Sequence, residues 1–221
     1  MNNEINLKIA GADLVGGLSV PTDPAGLVIF GHSSNDGRKS PRNVFASERL
    51  NSSGMATFLF DLLTSREDLV EENHFNIDLL TDRLVGVTKW CMDNEDLKKI
   101  PIGYYGASTG AAAVLSAAAF WGSKIKAVVC RGGRPDLAGE VLDLVESPTL
   151  LIVGGADRPT INFNRQAYIH IGCEKKTEII PGASHLFDEE GALEKVVELS
   201  TRWFLRHFST PVNIVSSMPV S

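Results

Sequence analysis

Along nearly the whole chain, short apolar runs rich in β-formers alternate with longer segments whose apolar residues recur at helical spacing. Strands are expected at residues 5–9, 14–20, 27–30, 56–60, 100–105, 125–130, 149–153 and 178–180. Helices are expected at 44–50, 75–92, 109–121, 136–145, 162–171 and 193–207. Ser40-Pro41 ahead of the first helix combines an N-cap residue with proline at the first helical position. The first two strands flank Gly11 and read as an antiparallel hairpin. The later alternation has few solutions. It calls for an α/β fold: a mostly parallel twisted sheet with helices on both faces and right-handed crossovers. The 221 residues suit one domain over residues 1–208, followed by a tail at 209–221 with two prolines and little periodicity. Internal repeats are absent, and no insertion is long enough to make a cap domain.

Charge and cysteine usage narrow the function classes. A net charge of −6 and a pI near 5.4, without any Lys/Arg-rich run, argue against nucleic acid as a partner. The three cysteines, Cys91, Cys130 and Cys173, lack CxxC spacing and suit reduced thiols better than a disulfide framework. Met1-Asn2-Asn3-Glu4 does not begin a signal peptide, and the apolar run at 111–121 is too short to span a bilayer. A cytoplasmic protein with no membrane partner is expected.

In a parallel sheet, ligands bind outside the carboxyl ends of the strands, so the residues after each strand carry the functional information. After the strand at 100–105 comes Gly106-Ala107-Ser108-Thr109-Gly110, a G-x-S-x-G pentapeptide followed by an Ala-rich helix. The glycines permit a sharp strand-to-helix turn that leaves the serine hydroxyl exposed. The same pentapeptide can also be a glycine-rich turn with a serine cap; the strand before and the helix after it favour the nucleophile.

A nucleophilic serine needs a base, and the base needs an orienting acid. Asp157 follows the strand at 149–153 and His185 follows the strand at 178–180, so both fall at the same sheet edge as Ser108. The chain order Ser, Asp, His is that of α/β-hydrolases. Asp136, after the preceding strand, is the rival acid, and Asp157 could equally be a turn residue before Arg158-Pro159. Of the other histidines, His74, His170 and His207 fall in or beside helices. The oxyanion donors expected by position are the Thr109 amide and an amide from the loop His32-Ser33-Ser34.

Together the segments at 30–43 (FGHSSNDGRKSPRN), 104–113 (YYGASTGAAA), 130–139 (CRGGRPDLAG), 151–157 and 181–187 (PGASHLF) resemble the α/β-hydrolase superfamily, and more narrowly its dienelactone-hydrolase-related small serine hydrolases. The resemblance implies Ser108 as nucleophile, Asp157 as acid, His185 as base, an acyl-enzyme intermediate, and neither metal nor organic cofactor. Position 108 is serine where dienelactone hydrolases proper use cysteine, and His32-Ser33 stands where related chains carry His-Gly. Some relatives are fused to phosphoribosyltransferase-like domains; this chain has no pyrophosphate-binding signature, so that activity is not expected.

The expected substrate is a small soluble carboxylic ester. Thioesters and lactones are alternatives served by the same machinery, and a non-catalytic binding protein of this fold is the alternative of a different class. Arg131 and Arg134 follow a strand and could bind a substrate carboxylate, although pairing with Asp136 is the favoured reading. The acidic stretch at 64–74 has too few apolar residues for a lipase-type lid, so an open site is expected.

Overall fold

The apolar runs become strands because their side chains can be buried on both faces of a sheet, which only a covered, mostly parallel sheet offers. In the computed structural model, which describes residues 3–33 and 37–209, eight strands form one sheet. They are β1 (Asn3–Ile9), β2 (Ala12–Ser19), β3 (Leu27–Gly31), β4 (Ala56–Phe60), β5 (Ile102–Ala107), β6 (Ile125–Arg131), β7 (Thr149–Gly154) and β8 (Lys175–Ile180), in the spatial order 1-2-4-3-5-6-7-8. β1 and β2 form the antiparallel hairpin and β2 joins β4 antiparallel; every pairing from β4 onward is parallel. The expected oxyanion residue Ser34 and the tail beyond Ser209 lie outside the described residues.

Alternation along each strand sorts its side chains into two apolar layers. In β3, Leu27 and Ile29 pack into the layer under α2 (Ile77–Asp93), α3 (Gly110–Trp121) and α4 (Arg158–His170). Val28 and Phe30 pack into the opposite layer, under α1 (Pro41–Ser52) and α5 (Ala192–Phe208). Helices therefore cover both faces, and among the described residues no segment forms a separate cap. No described helix is long and apolar enough to cross a membrane, and all three cysteines are free thiols.

Several boundaries differ from expectation, and three of the differences have a clear local cause. The helix expected at 136–145 is a 3-10 segment, Pro135–Leu144, broken where Gly139 takes φ 59°. The helix expected to begin at Phe75 starts two residues later, at Ile77: Asn76 caps α2 by accepting a bond from the Leu79 amide, and Phe75 ends a separate 3-10 turn, Glu71–Phe75. α4 starts at Arg158, four residues before its expected start, because Asp157 caps it and Pro159 fits its first turn.

Candidate active site

Strand order fixes where a crevice opens. β4 lies on one side of β3 and β5 on the other, so the chains leaving β3 and β5 diverge at a switch point. Gly31 pairs with Gly106 across these strands, which brings His32-Ser33 beside Ser108.

The turn from β5 into α3 is strained. Ser108 has φ 52°, a conformation that costs a non-glycine residue about 1–3 kcal/mol. Both flanking glycines are needed sterically: a Cβ on Gly110 would lie 2.3 Å from the Gly31 carbonyl oxygen, and one on Gly106 would lie 2.8 Å from the Ala111 Cα. The Ser108 carbonyl accepts bonds from the amides of Ala111 (3.2 Å) and Arg134 (2.9 Å), which hold the turn while the Ser108 residue stays exposed. Thr109 beneath it is buried, and its hydroxyl donates to the His74 carbonyl at 2.8 Å. The Thr109 amide has no protein acceptor among the described residues, leaving an N–H at a helix start, where the dipole favours negative charge.

Asp157 and His185 meet. His185 Nδ1 lies 2.7 Å from Asp157 Oδ2, while Asp157 Oδ1 accepts the Thr160 amide at 3.3 Å as the cap of α4. Two backbone bonds, Gly155 N–H to the Ile180 carbonyl and Ala156 N–H to the Ala183 carbonyl, clamp their loops together. Partial burial pushes the Asp157 carboxyl up, but the bonds from Thr160 and His185 outweigh it and hold the group below the usual carboxylate range. The carboxylate is largely covered and the imidazole half-exposed. An ionised carboxylate on Nδ1 fixes the tautomer with Nε2 free as acceptor.

The alternatives are engaged elsewhere. Asp136 forms a fork with Arg134, Nε to Oδ1 at 2.9 Å and Nη2 to Oδ2 at 2.7 Å, and that guanidinium stacks over Phe163. His74 faces Asp68, His170 lies beside Asp143 and His207 beside Glu174. His32 is buried with its ring against Gly37.

Ser108, His185, His32 and Ser33 line one open cleft of about 310 Å³, near the lower end of the range for small-molecule sites. Arg131, Arg42 and Asn43 line it too. The last two lie outside the sequence-derived site, although Ser40-Pro41 marked a helix starting after β3, hence at this edge. A larger groove of about 420 Å³ between α1 and α5 holds neither Ser108 nor His185 and has no pairing of nucleophile with base. The segment at 64–75 borders the site without covering it. Glu67 ties it to Arg83 at 2.8 Å and His74 ties it to Thr109, while Leu69 and Phe75 are exposed. Among the described residues no group of three or more His, Cys, Asp or Glu is arranged to hold a metal.

Comparison with known proteins gives the chain its relatives. No family model matches it. It is 44% identical to a dienelactone hydrolase from Anabaena variabilis, whose structure superposes with a TM-score of 0.90 over 94% of this chain and 98% of that one. An alpha-beta serine hydrolase homologue from Coxiella burnetii shares the fold at 18% identity, with a TM-score of 0.73 over 91% of this chain and 96% of that one. Two curated proteins from Mycobacterium tuberculosis strains, provisionally described as phosphoribosyl transferases, are 45% identical over 210 residues. The match covers 95% of this chain and 47% of each relative, so the chain spans about half their length. The sheet order, the Ser108 turn and the end-to-end likeness to the Anabaena protein agree: this chain belongs to the α/β-hydrolase superfamily, in its dienelactone-hydrolase-related group.

Proposed function

We propose that the chain is a serine esterase for small, soluble carboxylic esters, with Ser108 as nucleophile, His185 as base and Asp157 as orienting acid. The observation that carries the reading is the 2.7 Å contact between Asp157 and His185 at the cleft that Ser108 also lines. His185 Nε2 takes the hydroxyl proton as Ser108 Oγ bonds to the acyl carbon, and Asp157 stabilises the imidazolium. The oxyanion is bound by the Thr109 amide and a second amide from the loop after β3, at Ser33 or Ser34. Collapse of the adduct passes the proton to the departing alcohol and leaves an acyl-Ser108. Water, deprotonated by His185, then attacks the acyl carbon, and the acid leaves as the proton returns to Ser108. The three free thiols support a reducing, cytoplasmic setting.

Transferase chemistry is not proposed, because the sequence carries no pyrophosphate-binding signature and the chain spans only about half of the relatives so described. An open cleft of about 310 Å³, with no cap among the described residues, favours short acyl groups. On a series of p-nitrophenyl esters, kcat/KM is expected to peak at short acyl lengths, with no jump when substrate passes its solubility limit. A strong preference for long chains, or a sharp rise at the oil–water interface, contradicts the open-site reading.

A further inference from the structure

The peptide bond between Gly133 and Arg134 is held on both sides. Its N–H donates to the Ser108 carbonyl at 2.9 Å, and its carbonyl accepts from Asn164 Nδ2 at 3.0 Å. The unit is planar and trans, so the two groups point in opposite directions and fixing one aims the other. Close packing restricts it further: a Cβ on Gly133 would lie 2.3 Å from the Ala111 Cβ at the start of α3. The Ser108–Thr109 peptide obeys the same rule. Its carbonyl receives the Arg134 and Ala111 amides, and its N–H, on the other side of the plane, is the oxyanion donor of the esterase reading.

Asn164 lies in α4 and is 1% exposed, so its amide has no access to water. An amide nitrogen carries two hydrogens, and both are engaged here. The second goes to the Thr160 carbonyl at 2.8 Å, in the turn whose Thr160 amide donates to Asp157 Oδ1. Both neighbours of Nδ2 are carbonyls, which fixes the way the amide faces. Asn164 Oδ1, by contrast, is buried without a partner among the described residues. An unpaired oxygen in the core lowers stability, and a leucine of similar volume would not carry it. What accounts for an amide at this position is the carbonyl that Nδ2 holds. We propose that Asn164 is a positioning residue: through the Gly133–Arg134 and Ser108–Thr109 peptide planes it aims the Thr109 amide at the oxyanion, with α4 and its Asp157 cap as the fixed base. This rests on the esterase reading and adds to it a residue that touches neither the substrate nor the reacting atoms.

Three variants separate positioning from packing. Asn164→Leu removes the donor at similar volume. Asn164→Ser keeps a bond to the Thr160 carbonyl, since a serine hydroxyl reaches four residues back along a helix, but is too short to hold Gly133. Ala167→Gly, on the same helix and equally buried, loosens α4 without touching the path. On p-nitrophenyl acetate both Asn164 variants should lose about 10- to 100-fold in kcat, with KM within about threefold of the parent. Acylation and deacylation both pass through the oxyanion, so both slow together. Fluorophosphonate labelling of Ser108 should slow in step with kcat. The pH profile of kcat/KM should keep the parent's midpoint, because Asp157 and His185 still meet, and Ala167→Gly should keep kcat within about threefold. Where Asn164→Leu fails to fold, Asn164→Ser carries the comparison, because its helix bond is kept. A kcat within about threefold of the parent in either folded Asn164 variant makes the residue structural and overturns the positioning role. An equal loss in Ala167→Gly assigns the effect to a loosened helix, and a shifted pH midpoint assigns it to the acid–base pair; each overturns the role as well. In all these cases a parent that hydrolyses the ester and is labelled on Ser108 leaves the esterase reading standing. A folded parent that does neither overturns both.

Discussion

Where β5 turns into α3, the chain passes through Ser108 at φ 52° and begins its helix with no side-chain cap. Where β7 turns into α4, Asp157 sits at φ −92°, caps the helix through Oδ1 and turns Oδ2 to His185. Both turns open on the same sheet edge, yet they present their functional groups at different cost. The first spends local stability to leave a hydroxyl exposed at a helix start. The second asks nothing extra of the backbone, because one carboxylate serves the helix with one oxygen and the imidazole with the other. A reactive group has to be uncovered, whereas an orienting group can be built into the structure it stabilises.

Substitutions at the two turns can break that contrast, and the largest effect is expected at the first. Ser108→Ala should abolish hydrolysis of an activated ester, a loss of about 10⁶ in turnover in a comparable triad, without lowering stability. Retention of near-full activity would remove Ser108 from the chemistry. At the second turn, Asp157→Asn should cost about 10⁴ in turnover, since a neutral amide no longer selects the tautomer that His185 needs. Asp136→Asn, which only breaks the fork to Arg134, should cost far less. Both variants are checked for native circular dichroism, and the opposite ranking would move the acid to the preceding strand.

Smaller effects read the turns as structure. Asp157→Ala should lose about 1 kcal/mol with the helix cap, while Asp157→Asn, which can still cap, should lose less. The folded state holds the Asp157 carboxyl below its usual range. Its charge therefore contributes stability that is fully present above the unfolded-state value, about pH 3.9. The contribution disappears as pH falls through the depressed folded value, so the gap between parent and Asp157→Ala in chemical denaturation should shrink below about pH 4. A gap independent of pH would mean that the carboxylate charge does not act on α4. Ser108→Gly should be more stable than Ser108→Ala by about 1 kcal/mol, because only glycine occupies the left-handed region without cost. Equal stabilities would show the turn to be unstrained.

Much of this was legible in the sequence because strand ends are. Apolar runs followed by small residues marked Ser108, Asp157 and His185 for one edge, and sheet topology does bring all three there. Less legible were elements whose local chemistry has two readings. Asp157-Arg158-Pro159 can open a turn or a helix, and the structure takes the helix. The segment from Pro135 to Leu144 has helical apolar spacing, but Gly139 at positive φ breaks it into 3-10 turns. β8 extends back to Lys175 through polar residues, as expected of an edge strand with one side open to solvent. Arg131 and Arg134 look alike in the chain. Which of them finds a carboxylate is settled by backbone direction: Asp136 turns back to Arg134, whereas Arg131 points to the opposite face of the sheet, toward Asn43.

The central claim, that the strained turn exposes the nucleophile, is tested most directly by labelling the protein with a fluorophosphonate and mapping the modified peptide by mass spectrometry. The account predicts one adduct per chain, on Ser108, lost in Ser108→Ala and strongly slowed in Asp157→Asn. An adduct on Ser33 or Ser34, or no adduct on a folded protein, would contradict it.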